Sequence, residues 1–287
     1  MIAKLNDTYK AYLMLLMTSF GWASSTIIIK VFITDIKAYH MMFGRFLIAF
    51  LLIWAIHPKK MVRLSKRDMT IAFALGILIF ASYAFGIISL VYTTASKSGF
   101  LVAMSVLLVP ISQLLVRRKR PNGIIVGTVC LSLVGLYFVS GMDGVGFNFG
   151  DLLALLCAAT YTGYILIVDR YVKEIDGVTL VLYQMLGVTI LSLFLAIGFE
   201  GFDIGILKSG FIPIFFTGIL GTAMTIYFQN HAQKHASPES VGLLLLGEPV
   251  FTLLMALFIL QETITRSGLI GAGFIISAML ITILKKV

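Results

Sequence analysis

The stretch TTASKSGFLVAMSVLLVP, residues 93–110, has a counterpart further along the chain in KHASPESVGLLLLGEP, residues 234–249. Each carries an Ala-Ser dipeptide, Ala95-Ser96 and Ala236-Ser237, and each closes on a proline inside an apolar run, Pro110 and Pro249. Further on, Gly127 and Gly271 stand at similar places. Similarity that keeps its order across two halves marks an internal repeat. A proline inside an apolar helix removes a backbone donor and presses on the preceding turn, so both runs are read as interrupted helices.

The chain around these two runs is apolar throughout. Of 287 residues, 59% are hydrophobic and 12% charged, against roughly 45–50% and 25% in a soluble domain. The apolar residues come in blocks of about 17–23, the length a helix needs to cross a hydrocarbon core of roughly 30 Å. Lipid offers no partner to a free N–H or C=O, so the spans are helices. We expect ten, at Ala11–Ile29, Ala38–Ile56, Met69–Val91, Ser98–Val116, Gly123–Ser140, Leu152–Val168, Val178–Gly198, Phe211–Asn230, Val241–Leu260 and Gly268–Leu284. Lys4 and Lys10 precede the first run, but it is long for a signal peptide and has no A-x-A-like cleavage site, so it is read as a span.

The net charge of +9 is distributed as membrane orientation requires, and nucleic acid is not an expected partner. Threading the spans places sixteen of the 22 basic residues on one side: Lys4, Lys10, Lys59, Lys60, Arg63, Lys66, Arg67, Arg117, Arg118, Lys119, Arg120, Arg170, Lys173, Lys234, Lys285 and Lys286. The other side holds Lys30, Lys37, Lys97, Lys208 and Arg266, and Arg45 lies inside a span. The expected location is a multi-pass position in the cytoplasmic (inner) membrane with both termini cytoplasmic.

A repeat of five spans is odd, so the second half enters the membrane from the other side and the halves, 1–142 and 143–287, are inverted. Inverted repeats are a signature of secondary transporters, in which one half rocks against the other. The fold class expected is all-α integral membrane, ten helices in two inverted five-helix repeats.

The chain resembles the drug/metabolite transporter superfamily in its EamA-type branch over essentially its full length. The resemblance is carried by WASSTIIIK from Trp22, Arg45-Phe-Leu-Ile-Ala, YTTASKSGF from Tyr92, Val109-Pro110, Asp151-Leu-Leu-Ala-Leu, Gly247-Glu248-Pro249 and Gln261-Glu262-Thr263. Ala23 and Thr26 depart from the family pattern, which more often has Gly and Phe there. The resemblance implies a central cavity lined by helices one, three, four, six, eight and nine, and a toolkit for amino acids, nucleobases, cations and other metabolites.

Polar and aromatic residues inside spans nominate the site, because each must face protein or water. Trp22, Ser24 and Ser25 sit mid-way along helix one, and the repeat sets Trp22 opposite Tyr161, with Tyr164 a turn further on. Aromatic rings on both sides of a pseudo-twofold can sandwich a planar or cationic solute; the alternative is ordinary packing. Tyr83 in helix three and Tyr227, Gln229 and Asn230 in helix eight add hydrogen-bonding groups, although the last three lie near the cytoplasmic end where they can simply meet water. The substrate-binding candidates are therefore Trp22, Ser25, Tyr83, Tyr161, Tyr164 and Tyr227.

Two charges lie deeper. Arg45 is about seven residues into helix two, about 10 Å from its start, and a charge there costs at least about 2.5–3.5 kcal/mol. It is expected to snorkel outward rather than meet substrate. Glu248 needs a partner or a proton; it is either the coupling carboxyl or a hydrogen bond that holds the kink at Pro249. Gly21/Ser25, Ser82/Gly86, Gly218/Thr222 and Gly273/Ser277 recur four apart and read as close helix contacts.

Metal and cofactor are not expected. Cys130 and Cys157 fall in spans and read as packing, and His231 and His235, four apart, have no evident third ligand. The leading function is a secondary transporter of a small organic metabolite, such as an amino acid, nucleobase or organic cation, with proton coupling through Glu248 as its extension. Its partners are that solute and the lipid bilayer, with no obligate protein partner. The rivals are a non-transporting membrane receptor, which would not need broken helices in both halves, and an intramembrane prenyl- or acyltransferase. The enzyme would need paired acids one or two turns apart in a span, so no enzymatic activity is expected.

Overall fold

The structure is a computed structural model that describes residues 2–32, 37–62, 64–93, 95–118, 120–140, 147–259, 261 and 265–285, without the side chains of 2–6, 30, 90, 95–97, 117 and 140. Arg63, Thr94, Lys119, Glu262, Thr263 and Lys286 lie outside the described residues, as do the side chains of Lys4, Lys30, Ala95, Ser96, Lys97 and Arg117.

The described residues form helices throughout: α1 (Ile2–Phe32), α2 (Ala38–Ile56), α3 (Lys66–Tyr92), α4 (Ala95–Val102), α5 (Ser105–Arg117), α6 (Gly123–Ser140), α7 (Phe149–Tyr171), α8 (Gly177–Leu195), α9 (Ile204–Ser209), α10 (Phe211–Gly218), α11 (Met224–Ala232), α12 (Pro238–Leu245), α13 (Gly247–Ile259) and α14 (Arg266–Lys285). Among the described residues nine segments are long and apolar enough to cross a membrane, and Gly123–Val139 is a shorter tenth. The protein is thus a multi-pass, all-α membrane protein. Most spans reach past the apolar blocks because polar caps extend them. Ser65 caps α3, Asp176 caps α8 and Ser237 caps α12, while Asn148 and Asp151 form a reciprocal capping box on α7.

Spans four and nine are each two helices, interrupted on the N-terminal side of their prolines. Before Pro110 the chain tightens at Ala103 and Met104, where Met104 N–H bonds Leu101 O and Val106 N–H bonds Ala103 O. Pro249 follows directly on the interruption at Leu246 between α12 and α13. Span eight is interrupted differently, by a π-helical turn over Ile219–Ala223 between α10 and α11.

Helix packing follows the repeat. Span one packs on span eight as span six packs on span three; span two on eight as seven on three; span nine on one as four on six. Spans two and seven, four and nine, and five and ten pack on their own counterparts. This pattern is unchanged when every span is exchanged with the one five further on, and the odd interval makes the counterparts antiparallel. One tight seam is between α6 and α14, where a Cβ on Gly271 would strike the Gly135 carbonyl and the backbone of Val139. Gly127 and Gly273, by contrast, face open space, so the expected contact at Gly273/Ser277 is not made through the glycine. Gly21 and Gly218 do lie tight, against Leu220 O and Arg45 O.

The loops sort onto two faces. On the face that carries the termini, Lys60 pairs with Asp176 at 2.9 Å and Arg67 with Glu174 at 2.8 Å, tying the α2–α3 connection to the α7–α8 connection. Burial would raise the Asp176 carboxyl, but the Lys60 ammonium and the Thr179 N–H and hydroxyl outweigh it and bring it down to about 2. On the opposite face, Glu200 accepts from Tyr39 N–H, His40 N–H and His40 Nδ1. Since Asp203 N–H donates to His40 Nε2, the buried imidazole is held as its Nδ1–H tautomer. Toward the termini face α12 packs against α5, and all of its residues are buried. Among the described residues α4 and α13 make no comparable contact, so spans four and nine diverge toward the opposite face.

Candidate functional site

Three aromatic rings meet where the halves face each other. Trp22 of α1 donates its indole N–H to the Tyr83 hydroxyl of α3 at 3.1 Å, and its ring meets Tyr161 of α7 edge-on at 5.5 Å. Tyr161 stacks on Tyr164 at 6.0 Å and donates its hydroxyl to Gln229 Oε1 at 2.8 Å. Trp22 and Tyr83 are only half-buried despite lying inside the bundle, so protein does not fill the space they border. Glu248, at the start of α13 and also half-buried, is hydrogen-bonded with Thr26 and close enough to act electrostatically on Tyr83, Tyr161 and Cys157.

Arg45 does not snorkel. It is 3% exposed and turns inward, donating from Nε to Thr222 Oγ1 at 2.8 Å and from Nη2 to Ser25 Oγ at 3.2 Å and Gly221 O at 3.0 Å. Its guanidinium carbon lies 5.0 Å from the Tyr83 ring centre. Among the described residues no carboxylate pairs with it. The charge is spread over neutral acceptors and a π face, and two of the acceptors, Gly221 O and Thr222 Oγ1, belong to the π-helical turn. Ser25, buried between Arg45 and Gly221, is therefore a strut for the arginine and not an open wall.

Residues 9–141 and 148–284 each match the model of the EamA-like transporter family. The chain belongs to the EamA-like transporter family. Two proteins of Archaeoglobus fulgidus named as uncharacterized transporters are similar to it, at 29% identity over 92% of this chain and 82% of theirs, and at 23% over 96% and 98%. A third, from Clostridium kluyveri and named in the same way, is 23% identical over 95% of this chain and 92% of its own. A solved crystal structure shares the fold with a TM-score of 0.82 at 16% identity, covering 96% of both chains. Transport as the role of this EamA-like protein follows from the family.

The structure groups Trp22, Tyr83, Tyr161 and Glu248 and sets the other sequence candidates apart. Tyr164 is wholly buried, donating to Gln184 Oε1 at 3.0 Å and accepting from Asn230 Nδ2 at 2.7 Å. Tyr227 lies near the termini face, stacked between His57 at 5.9 Å and His231 at 5.2 Å. Gln229 and Asn230 do not meet water; both are buried within this polar network because α11 turns them toward α7 and α8. Gln184 and Gly221 escaped the sequence reading, which took Thr222 only for a close helix contact. A signal existed: the spacing that pairs Pro110 with Pro249 also pairs Trp22 with Tyr161, Ser25 with Tyr164 and Arg45 with Gln184. The Arg45–Ser25 and Tyr164–Gln184 bonds are thus equivalent contacts in the two halves.

Proposed function

We propose that this protein is a secondary transporter that moves a small neutral, zwitterionic or mildly cationic organic metabolite across the cytoplasmic membrane by alternating access. The halves 1–142 and 143–287 rock against each other, and the face bearing the termini is cytoplasmic, in keeping with its excess of Lys and Arg. With α5 and α12 packed together and α4 and α13 apart, the conformation described is the one open to the outside.

The observation that carries the reading is the cluster of half-buried Trp22 and Tyr83 with buried Tyr161, contributed by both halves and bordering space that protein does not fill. Aromatic faces with few hydrogen-bonding groups suit a compact amine, amino acid or planar base. A phosphate ester would want several free cations, and Arg45 is already engaged. Glu248 is the proton-coupling carboxyl, held beside the cluster by Thr26. Trp22→Ala and Tyr161→Ala are each expected to weaken solute binding by about tenfold or more, as loss of a desolvated ring contact implies, while each variant stays monodisperse in detergent. Wild-type affinity in both would reduce the rings to packing.

A further inference from the structure

Toward the termini face, spans six and eight are joined by a ladder of uncharged polar side chains. Both helices run toward that face, so the rungs descend in step. Tyr161 donates its hydroxyl to Gln229 Oε1 at 2.8 Å, Asn230 Nδ2 donates to the Tyr164 hydroxyl at 2.7 Å, and Gln233 Nε2 donates to Ile165 O at 2.9 Å. Gln229 Nε2 also donates to Gln233 Oε1 at 3.3 Å, linking two rungs along span eight. All three amide side chains are buried. The backbones of α7 and α11 nevertheless do not pack closely on each other, so the side chains reach across a gap that the backbones leave.

The other half has no such ladder. Span three, the repeat counterpart of span eight, carries no Asn or Gln between Lys66 and Tyr92, and toward the outer face α4 and α13 stand apart. A seam that must open has a physical reason to be built from amides. An apolar seam exposes its surface to water on opening, at a cost that grows with area. An amide exchanges its partner for water at little net cost, and its bond is lost within a short displacement. A satisfied ladder is therefore firm when closed and yields rung by rung.

We propose that Gln229, Asn230 and Gln233 are the latch of the cytoplasmic side, positioning residues that hold span eight to span six while the outer side is open. The proposal deepens the outward-open reading above and rests on it. Tyr161 belongs both to the aromatic cluster and to the first rung, so a solute that displaces its ring frees Gln229 and starts the release. The way to the cytoplasm then runs between α7 and α11, past the freed amides. Because the first half has no matching ladder, the two sides are not equally easy to open: the outer side opens without breaking such rungs, and the inner side waits for them to be released.

The test measures the width of the inner side in the full chain and needs no solute. Spin labels are attached through Arg170→Cys, at the end of α7, and His235→Cys, in the turn after α11, both exposed positions. Cys130 and Cys157 are replaced by serine, and the distance between the labels is read by pulsed electron resonance in nanodiscs of phosphatidylcholine and phosphatidylglycerol. Without further substitution the short distance should dominate. Gln229→Leu strands the Tyr161 hydroxyl and Gln233 Oε1, and Tyr161→Phe removes a single hydroxyl. Each should raise the share of molecules at a longer distance about fivefold, the factor that one lost hydrogen bond implies. Thr222→Val lies in the same span but loosens Arg45; it should lower the melting temperature and leave the distances alone, which separates a latch from general loosening. If the labelled protein already sits at the longer distance, the outward-open reading fails and the latch fails with it. A short distance that neither Gln229→Leu nor Tyr161→Phe changes, or a shift equally large in Thr222→Val, overturns the latch and leaves the outward-open reading standing.

Discussion

Thr222→Val tests whether the π-helical turn exists to hold Arg45. Valine keeps the shape of threonine and removes the oxygen that accepts from Arg45 Nε at 2.8 Å. The guanidinium retains Ser25, Gly221 and the Tyr83 ring, so one of its three hydrogen bonds is lost and an N–H of a buried cation is left without an acceptor. A hydrogen bond to a charged group contributes about 1.5–3 kcal/mol. Thr222 also donates to Thr217 O, but that carbonyl is neutral and adds about 1 kcal/mol at most. At about 2–4 °C per kcal/mol for a chain of this order of size, the melting temperature in detergent should fall by about 3–12 °C. Thr222→Ser, which keeps the oxygen, should recover most of the loss. If valine melts with the wild type, or if serine is as damaging as valine, Arg45 is not secured through Thr222 and the turn needs another explanation.

Glu248→Gln keeps the side-chain size and removes the exchangeable proton, so uptake driven by a pH gradient in proteoliposomes should be lost while solute binding persists; unchanged gradient dependence leaves Glu248 a structural partner of Thr26. A cysteine placed between Lys59 and Arg67 should resist a membrane-impermeant thiol reagent in intact cells, and labelling there would reverse the orientation. The Lys60–Asp176 pair should matter at ordinary pH and fade in acid. The Asp176 carboxyl is held at about 2, below the usual carboxylate range, so its stabilisation is fully present above about pH 4 and is lost as pH falls toward 2. The melting difference between wild type and Asp176→Asn should therefore be larger at pH 6 than at pH 2.5, and modest throughout because both side chains are more than 40% exposed.

Much of the architecture was legible in the linear chain. Apolar blocks of membrane length, basic residues favouring alternate loops, and two prolines in matching runs are local or periodic signals, and the bilayer enforces them because an unpaired backbone group in lipid is too costly to tolerate. That is why α2 and α6 begin and end at the expected residues, and why spans four and nine are each interrupted on the N-terminal side of their prolines, at Ala103–Met104 and at Leu246. The direction in which a polar side chain turns is not local. Arg45 looked able to reach the surface from its depth alone; it turns inward because a π-helical turn far along the chain presents Gly221 O and Thr222 Oγ1 beside it. Tyr164 and Asn230 read as lining or as surface until α8 brought Gln184 against them, and Gln229 until Tyr161 and Gln233 took up its amide. Trp22 and Tyr161 were paired by the repeat, but their edge-on contact and the Tyr83 hydroxyl that receives the indole N–H depend on how the two halves close. Sequence determined which segments enter the membrane and in what order; tertiary packing decided which polar groups within them find one another, because in a low-dielectric interior each takes whatever partner the neighbouring helices bring within about 3 Å.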